Sequence, residues 1–224
     1  MNLEQMEDRI KELEKQVRVL RDIEDIQRLQ KSYGYYLQHW MYKEIIDLFS
    51  DNPETCLNIM VGIFLGKEGV RRYFSSLKSL NDNPEYLHQI MQLSGIIDVA
   101  LDEKTAQGRF FGYGALAIPM GEGVRPVSCN GIYTAEYVKE DGIWKILKLT
   151  WNPIFMGSPF EGWVKKERIE AASKTATVQA AKPDKPRDTD PRYPTGYIVP
   201  FHFKHPVTGK KTCEEKRNAS LKRK

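Results

Sequence analysis

The 224-residue sequence contains few cysteines and no long apolar run, and these absences exclude two classes of protein. Cys56, Cys129 and Cys213 lie far apart and form no C-x-x-C pair, which argues against a disulfide scaffold and favours a reducing compartment. No apolar stretch approaches the roughly 18–20 residues of a membrane-spanning helix, and the charged N-terminal segment lacks the apolar core of a secretory signal. We therefore expect a cytoplasmic protein that makes no membrane contact.

The sequence also lacks the short motifs that usually hold metals, nucleotides or covalent intermediates. It contains no H-x-E or H-E-x-x-H pattern, no G-x-S-x-G turn and no glycine-rich phosphate loop. We therefore predict a protein without metal or cofactor, in which any chemistry depends on acid–base side chains in apolar surroundings.

Positive charge is concentrated at the C-terminus. The net charge is +4, but residues 201–224 hold eight lysines and arginines against two glutamates, so this tail alone is +6. A basic tail occurs in nucleic-acid-binding proteins and also as a solvated terminus. Because no motif organises these charges, we favour the solvated terminus and expect no nucleic-acid partner.

Residues 1–21 are predicted to form a helix with an apolar heptad seam. The seam either pairs with another subunit or packs on its own domain; we favour pairing, which predicts a homo-oligomer, a dimer or a trimer. The same pattern continues to Tyr33, which suggests a second helical stretch entering the body. The seam residues are spaced alternately by three and four positions: Leu3, Met6, Ile10, Leu13, Val17 and Leu20.

Residues 22–160 are predicted to form one α+β domain, in which helices precede a meander of antiparallel strands. Apolar residues make up 41% of the chain, enough for a sizeable core. The Asp141-Gly142 dipeptide predicts a tight hairpin between the last two strands. The predicted elements are helices at 43–49 and 67–77, a buried strand at 56–65, and strands at 87–100, 105–118, 127–138 and 143–153.

Residues 161–224 are predicted to be a linker followed by an extended C-terminal tail. The linker is rich in Ala, Lys, Thr and Pro and has no core of its own. The tail carries four closely spaced aromatic residues, so we expect it to dock in part on the body or on a neighbouring subunit. These residues are Tyr193, Tyr197, Phe201 and Phe203.

The order of these elements resembles the nuclear-transport-factor-2-like superfamily, in its SnoaL-like branch with scytalone dehydratase, a bile-acid 7α-dehydratase and a dehydrochlorinase. The resemblance covers roughly residues 22–155. It implies a cone-shaped, curved antiparallel sheet wrapped around the N-terminal helices, with an apolar pocket at the wide end. The matching pieces are DIEDIQRLQKSYGYYL, LFSDNPETCLNI, GKEGVRRYF, the lone His88, TAQGRFFGYG and GIYTAEYVKEDGIWKILKLTW.

The resemblance also implies catalytic residues, because enzymes of this branch use a His–Asp pair, often with a tyrosine. The tyrosine corresponds to Tyr33 and the histidine to His88, but the acidic partner falls on Gln38. Glutamine cannot hold an imidazolium by charge, so Gln38 is expected to bind substrate by hydrogen bonds. A further acidic position of the bile-acid enzyme falls near Gly114, also without a carboxylate.

Each candidate also has a structural interpretation. His88 is either a general base or a hydrogen-bonded core histidine, and Tyr33 either polarises a substrate oxygen or belongs to the core. His39 either replaces the missing acid or simply ends a helix. Gly112 and Gly114 share one strand face with Phe110, where they either make room for a ligand or let the sheet bend.

Four more residues, Phe64, Met91, Asn130 and Trp151, line the expected pocket or belong to the core. Together these observations predict a cofactor-independent lyase, a dehydratase or a retro-aldol enzyme, acting on a hydrophobic, hydroxylated aromatic or polycyclic molecule. Isomerase or cyclase chemistry fits the same residues. The alternative is a non-catalytic module of the same fold that binds a small molecule or serves assembly.

Overall fold

The computed structural model describes residues 2–77, 86–120, 123–160, 181–185 and 202. The described chain is α+β, with three helices and six strands. The helices are α1 (Leu3–Gln38), α2 (Tyr42–Asp47) and α3 (Gly66–Ser76). The strands are β1 (Cys56–Ile59), β2 (Gly62–Leu65), β3 (Leu87–Val99), β4 (Thr105–Met120), β5 (Gly123–Glu140) and β6 (Ile143–Gly157).

The N-terminal helix α1 is one continuous helix of 36 residues, where the sequence suggested two stretches. Its start is fixed by a capping box between Asn2 and Gln5. At 1.5 Å per residue it is about 54 Å long. Its second half packs on the sheet through a stripe at helical spacing: Asp22, Ile26, Gln30, Tyr33 and Leu37. No helix in the described ranges is both long enough and apolar enough to cross a membrane.

The six strands form one curved, open sheet in the order β2-β1-β6-β5-β4-β3. The four long strands form the predicted antiparallel meander, and the hairpin at Asp141-Gly142 is confirmed, with positive φ angles of 50° and 81°. The sheet is mixed, because β1 runs parallel to β6. The expectation of a wholly antiparallel sheet therefore fails for this one pair.

The single strand expected over residues 56–65 is instead the hairpin of β1 and β2, which turns at Met60 and Val61. Gly62 follows the turn with φ of 139°, a conformation that side chains disfavour. A Cβ at Gly62 would also lie 2.4 Å from Cβ of Pro183, so the hairpin needs a glycine here for two reasons.

Residues 181–185 lie against the β2 edge and the start of α3. The backbones of Ile63 and Lys185 pair as a short antiparallel bridge. Oδ2 of Asp184 accepts a hydrogen bond from the Leu65 amide at 2.7 Å, and its Oδ1 lies 2.9 Å from Nη2 of Arg72. His202 lies 3.4 Å from Asp98 on β3. Both contacts belong to the region predicted as linker and tail; Tyr193, Tyr197, Phe201 and Phe203 lie outside the described residues.

Candidate functional site

The candidate site lies inside the cone, where the buried stripe of α1 faces the inner side of the sheet. Along β3, His88, Ile90 and Gln92 alternate with outward-facing residues and point towards α1. Gln92 meets Gln30 on α1, and His88 meets Trp40, just beyond the end of α1. Helix and strand therefore run antiparallel, and this layer carries polar side chains along its length.

A tyrosine cluster, Tyr33, Tyr73 and Tyr133, occupies the middle of the interior. The Tyr33 ring packs edge-on against Tyr133 at 6.1 Å and against Phe74 at 6.3 Å. The three phenols lie close enough to influence one another electrostatically. Burial raises the pKa of all three, that of Tyr73 to about 12. Each is therefore neutral at physiological pH and can donate a hydrogen bond.

A chain of hydrogen bonds in the interior connects this cluster to α1 and β3. The Tyr137 hydroxyl donates to Oε1 of Gln30 at 2.8 Å, and Nε2 of Gln30 donates to Oε1 of Gln92 at 2.9 Å. The Gln92 side chain is also hydrogen-bonded with Tyr133. Each member fixes the amide orientation of the next, so the chain holds α1, β3 and β5 in register.

The His88 corner consists of His88, Trp40, Gln38 and Gln89. The imidazole packs edge-on against the Trp40 indole, with ring centroids 5.5 Å apart. Desolvation lowers the pKa of His88 to about 4, and no carboxylate is among the causes that shift it. The imidazole is therefore neutral at physiological pH.

Two polar groups in this interior, on Tyr33 and on the partly buried His88, have ring contacts but no hydrogen bond within the described residues. Neither the Tyr33 hydroxyl nor the His88 imidazole forms a hydrogen bond there, although burial affects the pKa of both. The two groups therefore remain available to a ligand, although no hydrogen bond or ring contact joins them within the described chain.

Gln38 points to its neighbour in the corner and not to a charge. Its Oε1 accepts a hydrogen bond from Nε2 of Gln89 at 3.4 Å, a long and weak contact. Gln38 thus pairs with another amide, although the resemblance would place a carboxylate at its position. This arrangement leaves the imidazole without the partner that would raise its pKa.

His39 ends α1 and is exposed. The structure therefore gives it the helix-end position and leaves it outside the interior. The next residue, Trp40, has φ of 54°, which is rare for a bulky residue and marks local strain. This left-handed turn directs the Trp40 side chain back over His88, so the strain accompanies the contact at the site.

Gly112 and Gly114 do not open free space in the interior. A Cβ at Gly112 would lie 2.3 Å from the Trp151 ring, and one at Gly114 would lie 1.8 Å from the backbone oxygen of Gln89. The indole and the neighbouring strand already fill these positions. The glycines therefore permit close packing and curvature of the sheet, and the expectation of extra room is wrong.

The remaining candidates divide between the two faces of the sheet. Phe64, Phe110 and Trp151 are buried on the inner side, and Trp151 stacks on Tyr133 at 4.4 Å. Met91 and Asn130 are each paired directly with Tyr113, which is 48% exposed on the outer face. Residues directly opposite on neighbouring strands share a face. Met91 and Asn130 therefore lie outside the cone, contrary to the prediction.

Sequence reasoning missed Tyr73 and Tyr133, which lie close to Tyr33, and Gln92, which is hydrogen-bonded with Tyr133. The sequence did contain a signal for Tyr133, because it lies two and four positions before Ala135 and Tyr137 and therefore shares a strand face with them. Gln92 lies four positions after His88 on β3 and therefore on the same strand face. No group of three or more His, Cys, Asp or Glu side chains in the described chain is arranged to hold a metal ion.

Comparison with known proteins identifies related sequences and folds. The sequence model of the SnoaL-like domain matches residues 18–150. The fold is similar to that of a protein from Novosphingobium aromaticivorans named as a scytalone dehydratase, with a TM-score of 0.55, 16% identity and coverage of 75% of this chain and 97% of that chain. It is also similar to a protein from the same organism named as an aromatic ring hydroxylase, with a TM-score of 0.51, 17% identity and coverage of 63% and 96%.

A third similar structure is a hexachlorocyclohexane dehydrochlorinase of the LinA type from Novosphingobium barchaimii. Its TM-score is 0.50 at 17% identity, and the match covers 63% of this chain and 92% of that chain. At such identities the likeness of the three structures establishes the curved-sheet fold alone.

Proposed function

Because the chain belongs to the SnoaL-like domain family, we propose that it is a cofactor-independent lyase, a dehydratase or a retro-aldol enzyme. Its substrate is a hydrophobic, hydroxylated aromatic or polycyclic molecule. The observation that carries the proposal is that neither the neutral His88 imidazole nor the Tyr33 hydroxyl forms a hydrogen bond within the described chain. Two fold neighbours, named for dehydration and dehydrochlorination, support elimination chemistry.

His88 moves the proton in this proposal. For a dehydration, the imidazole takes a proton from the carbon beside the carbinol carbon, and the C–H electrons form the double bond. The imidazolium then returns that proton to the departing hydroxyl group, which leaves as water. For a retro-aldol cleavage, His88 takes the hydroxyl proton and the carbinol carbon becomes a carbonyl. The electrons of the broken C–C bond go to the departing carbon, which then takes the proton back from the imidazolium.

The low pKa of His88, about 4, sets the kind of substrate that can react. Such an imidazole is a weak base, so the substrate must stabilise the developing carbanion through a carbonyl group or a conjugated ring. The same low pKa makes the imidazolium a good proton donor for the leaving group.

The tyrosine cluster binds and orients the substrate. A phenol whose pKa is raised remains protonated, so Tyr33 donates a hydrogen bond to the substrate oxygen on which charge develops. The aromatic walls around it, with Phe74 and Trp151, favour a flat apolar ring system over a small polar substrate. Gln38 supplies a further hydrogen bond near the reacting carbon.

The test is a mass-spectrometric screen of the purified chain against hydroxylated aromatic and steroid-like compounds. For a compound that is consumed, His88→Ala should lower the rate by roughly 10²–10⁴, and Tyr33→Phe should also lower it. Tyr35→Phe is the matched control, because Tyr35 is on the same helix but 67% exposed. Full activity in His88→Ala would contradict the proposal.

The alternative is a non-catalytic module that binds the same class of molecule. The amide pair of Gln38 and Gln89 favours it, because no carboxylate assists His88. In that case a compound from the screen would bind to the chain and be recovered unchanged. Tyr33→Phe would then weaken binding. Neither the wild type nor His88→Ala would consume the compound.

A further inference from the structure

We propose that the first half of α1 is one strand of a parallel two-stranded coiled coil, formed with a second copy of this chain. The interface is the seam of Leu3, Met6, Ile10, Leu13, Val17 and Leu20, and it does not depend on the proposed function. These six apolar side chains are 44–74% exposed in the single chain. An apolar stripe of this length on a projecting helix requires a partner.

The geometry of α1 places the seam away from its own domain. At about 100° per residue, the seam lies roughly 170° around the helix from the stripe of Asp22, Ile26, Gln30, Tyr33 and Leu37 that packs on the body. Arg18, about 110° around the helix from the seam, pairs with Glu103 of the body at 3.0 Å. Because α1 is continuous, the seam cannot turn back onto the sheet, and no described part of the body covers it.

The residue types at the core positions favour two parallel strands. With Leu3 at position a of the heptad, Ile10 and Val17 also occupy a, and Leu13 and Leu20 occupy d. β-Branched residues at a with leucine at d are the combination that favours parallel dimers over trimers. The first heptad, with Leu3 and Met6, is less selective, so the second and third heptads decide the geometry.

The flanking charges favour the same arrangement. In a parallel pair, the g residue of one helix lies beside the e residue of the next heptad on the other helix. Arg9 is at g and Glu14 is at the following e, so each dimer contains two Arg9–Glu14 pairs of opposite charge. An antiparallel pair would place g beside g and e beside e and would lose both ion pairs.

The seam ends where the helix joins the body. The next a position is the exposed Glu24 and the next d position is Gln27. Two glutamates facing each other at the axis would repel, so the pairing stops after Leu20. The paired region is therefore about 26 Å long, and the two bodies lie side by side at its C-terminal end.

The first test is the mass of the full chain by sedimentation velocity over a concentration series. We expect a monomer–dimer equilibrium in the wild type and only monomer in Ile10→Glu/Leu13→Glu. The control, Lys11→Glu/Lys15→Glu, changes more charge on the outer side of the same helix and should remain dimeric. All four positions are exposed in the single chain, so the body should fold in every variant. A wild-type monomer, a trimer or a dimeric seam variant would overturn the proposal.

The second test is charge reversal across the interface. Arg9→Glu should raise the dimer dissociation constant roughly fivefold, because two ion pairs become repulsive. The double variant Arg9→Glu/Glu14→Arg should restore the wild-type value. Residues 9 and 14 are five apart and do not face each other on one helix, so restoration requires the second chain. Absence of restoration would contradict the parallel register.

The third test distinguishes the two orientations by cross-linking. In a parallel dimer the two copies of residue 6 are neighbours, whereas in an antiparallel dimer residue 6 lies beside residue 17 of the other chain. Oxidised Met6→Cys should therefore form a disulfide with itself, and the wild type under the same oxidant is the control. Preferential cross-linking of Met6→Cys to Val17→Cys in a mixture would overturn the parallel arrangement.

Discussion

At the scale of single residues, the desolvated position of His88 makes the stability of the chain depend on pH. No carboxylate is among the causes that shift the pKa of its imidazole. Its pKa is about 4 in the folded chain, against 6.5 for a free imidazole. Between these values the unfolded chain binds a proton that the folded chain excludes, so the free energy of unfolding decreases as the pH falls from about 6.5 towards 4.

We predict that the wild type loses about 2 kcal/mol more than His88→Gln between pH 7 and pH 5. Urea unfolding of both chains at the two pH values measures the difference. Glutamine has no group that titrates, so effects of other residues cancel in the comparison. Equal losses in the two chains would mean that the imidazole is protonated in the folded state.

The unpaired Tyr33 hydroxyl gives a second prediction at this scale, because another buried tyrosine supplies its control. Tyr33→Phe should change the free energy of unfolding by less than about 0.5 kcal/mol, since no hydrogen bond within the described chain is lost. Tyr137→Phe should cost about 1–3 kcal/mol, because it removes the donor to Gln30 and leaves a buried amide oxygen unpaired. Thermal or urea unfolding compares the two, and similar costs would show that Tyr33 has a structural partner.

The sequence identified some site residues and missed others for a physical reason. Tyr33 and His88 could be found because their positions in the family pattern are local. The strand faces on which Met91 and Asn130 lie could not be predicted, because they depend on the register between neighbouring strands. Tyr113 between them fixes both on the outside. The sequence also could not show that the space next to Gly112 is filled. The residue that fills it, Trp151, comes 39 positions later in the chain.

At the scale of elements, the close approach at Gly112 predicts the effect of a single methyl group. Gly112→Ala should destabilise the chain by about 1–3 kcal/mol, because the new Cβ would overlap the Trp151 ring. A glycine that merely left room would instead tolerate alanine. Urea unfolding of Gly112→Ala measures the cost, and Gly112→Ala/Trp151→Phe should recover part of it relative to Trp151→Phe alone. A stabilised Gly112→Ala chain would contradict the packing.

The start of α3 depends on a residue more than 100 positions away. α3 has no side-chain cap of its own, and the carboxylate of Asp184 lies at its first turn, with its pKa lowered by the hydrogen bond from Leu65. Asp184→Ala should cost about 1 kcal/mol of unfolding free energy. Glu68→Gln is the control, because it removes only an exposed ion pair with Arg71 on the same helix. Equal effects of the two changes would argue against a capping role.

The elements themselves were largely predictable, apart from the continuity of α1 and two features of β1. The four long strands and α3 follow from alternation and helical period in the sequence. The turn at Met60 and Val61 was missed because neither residue is a typical turn residue, and the glycine follows it. The parallel contact of β1 with β6 joins segments about 90 positions apart, and no local sequence pattern predicts such a pairing. The resemblance to the SnoaL-like branch is confirmed by the family match.

At the scale of the whole molecule, the proposed dimer makes stability depend on concentration. The full chain should show a melting temperature that rises with protein concentration, because association removes folded monomer from the unfolding equilibrium. Deletion of residues 1–20 should abolish that dependence and lower the molar mass. Differential scanning calorimetry and light scattering measure the two effects. An unchanged mass after the deletion would place the interface elsewhere.

The unbroken path of α1 from its first turn to Tyr33 also couples the angular phase of the seam to that of the interior. Inserting one alanine between Arg21 and Asp22 would leave both halves helical while rotating one relative to the other by about 100°. The two bodies of a pair would then face new directions, although no contact residue had been replaced. Helical phase, encoded by the number of residues alone, thus sets how neighbouring interiors are oriented.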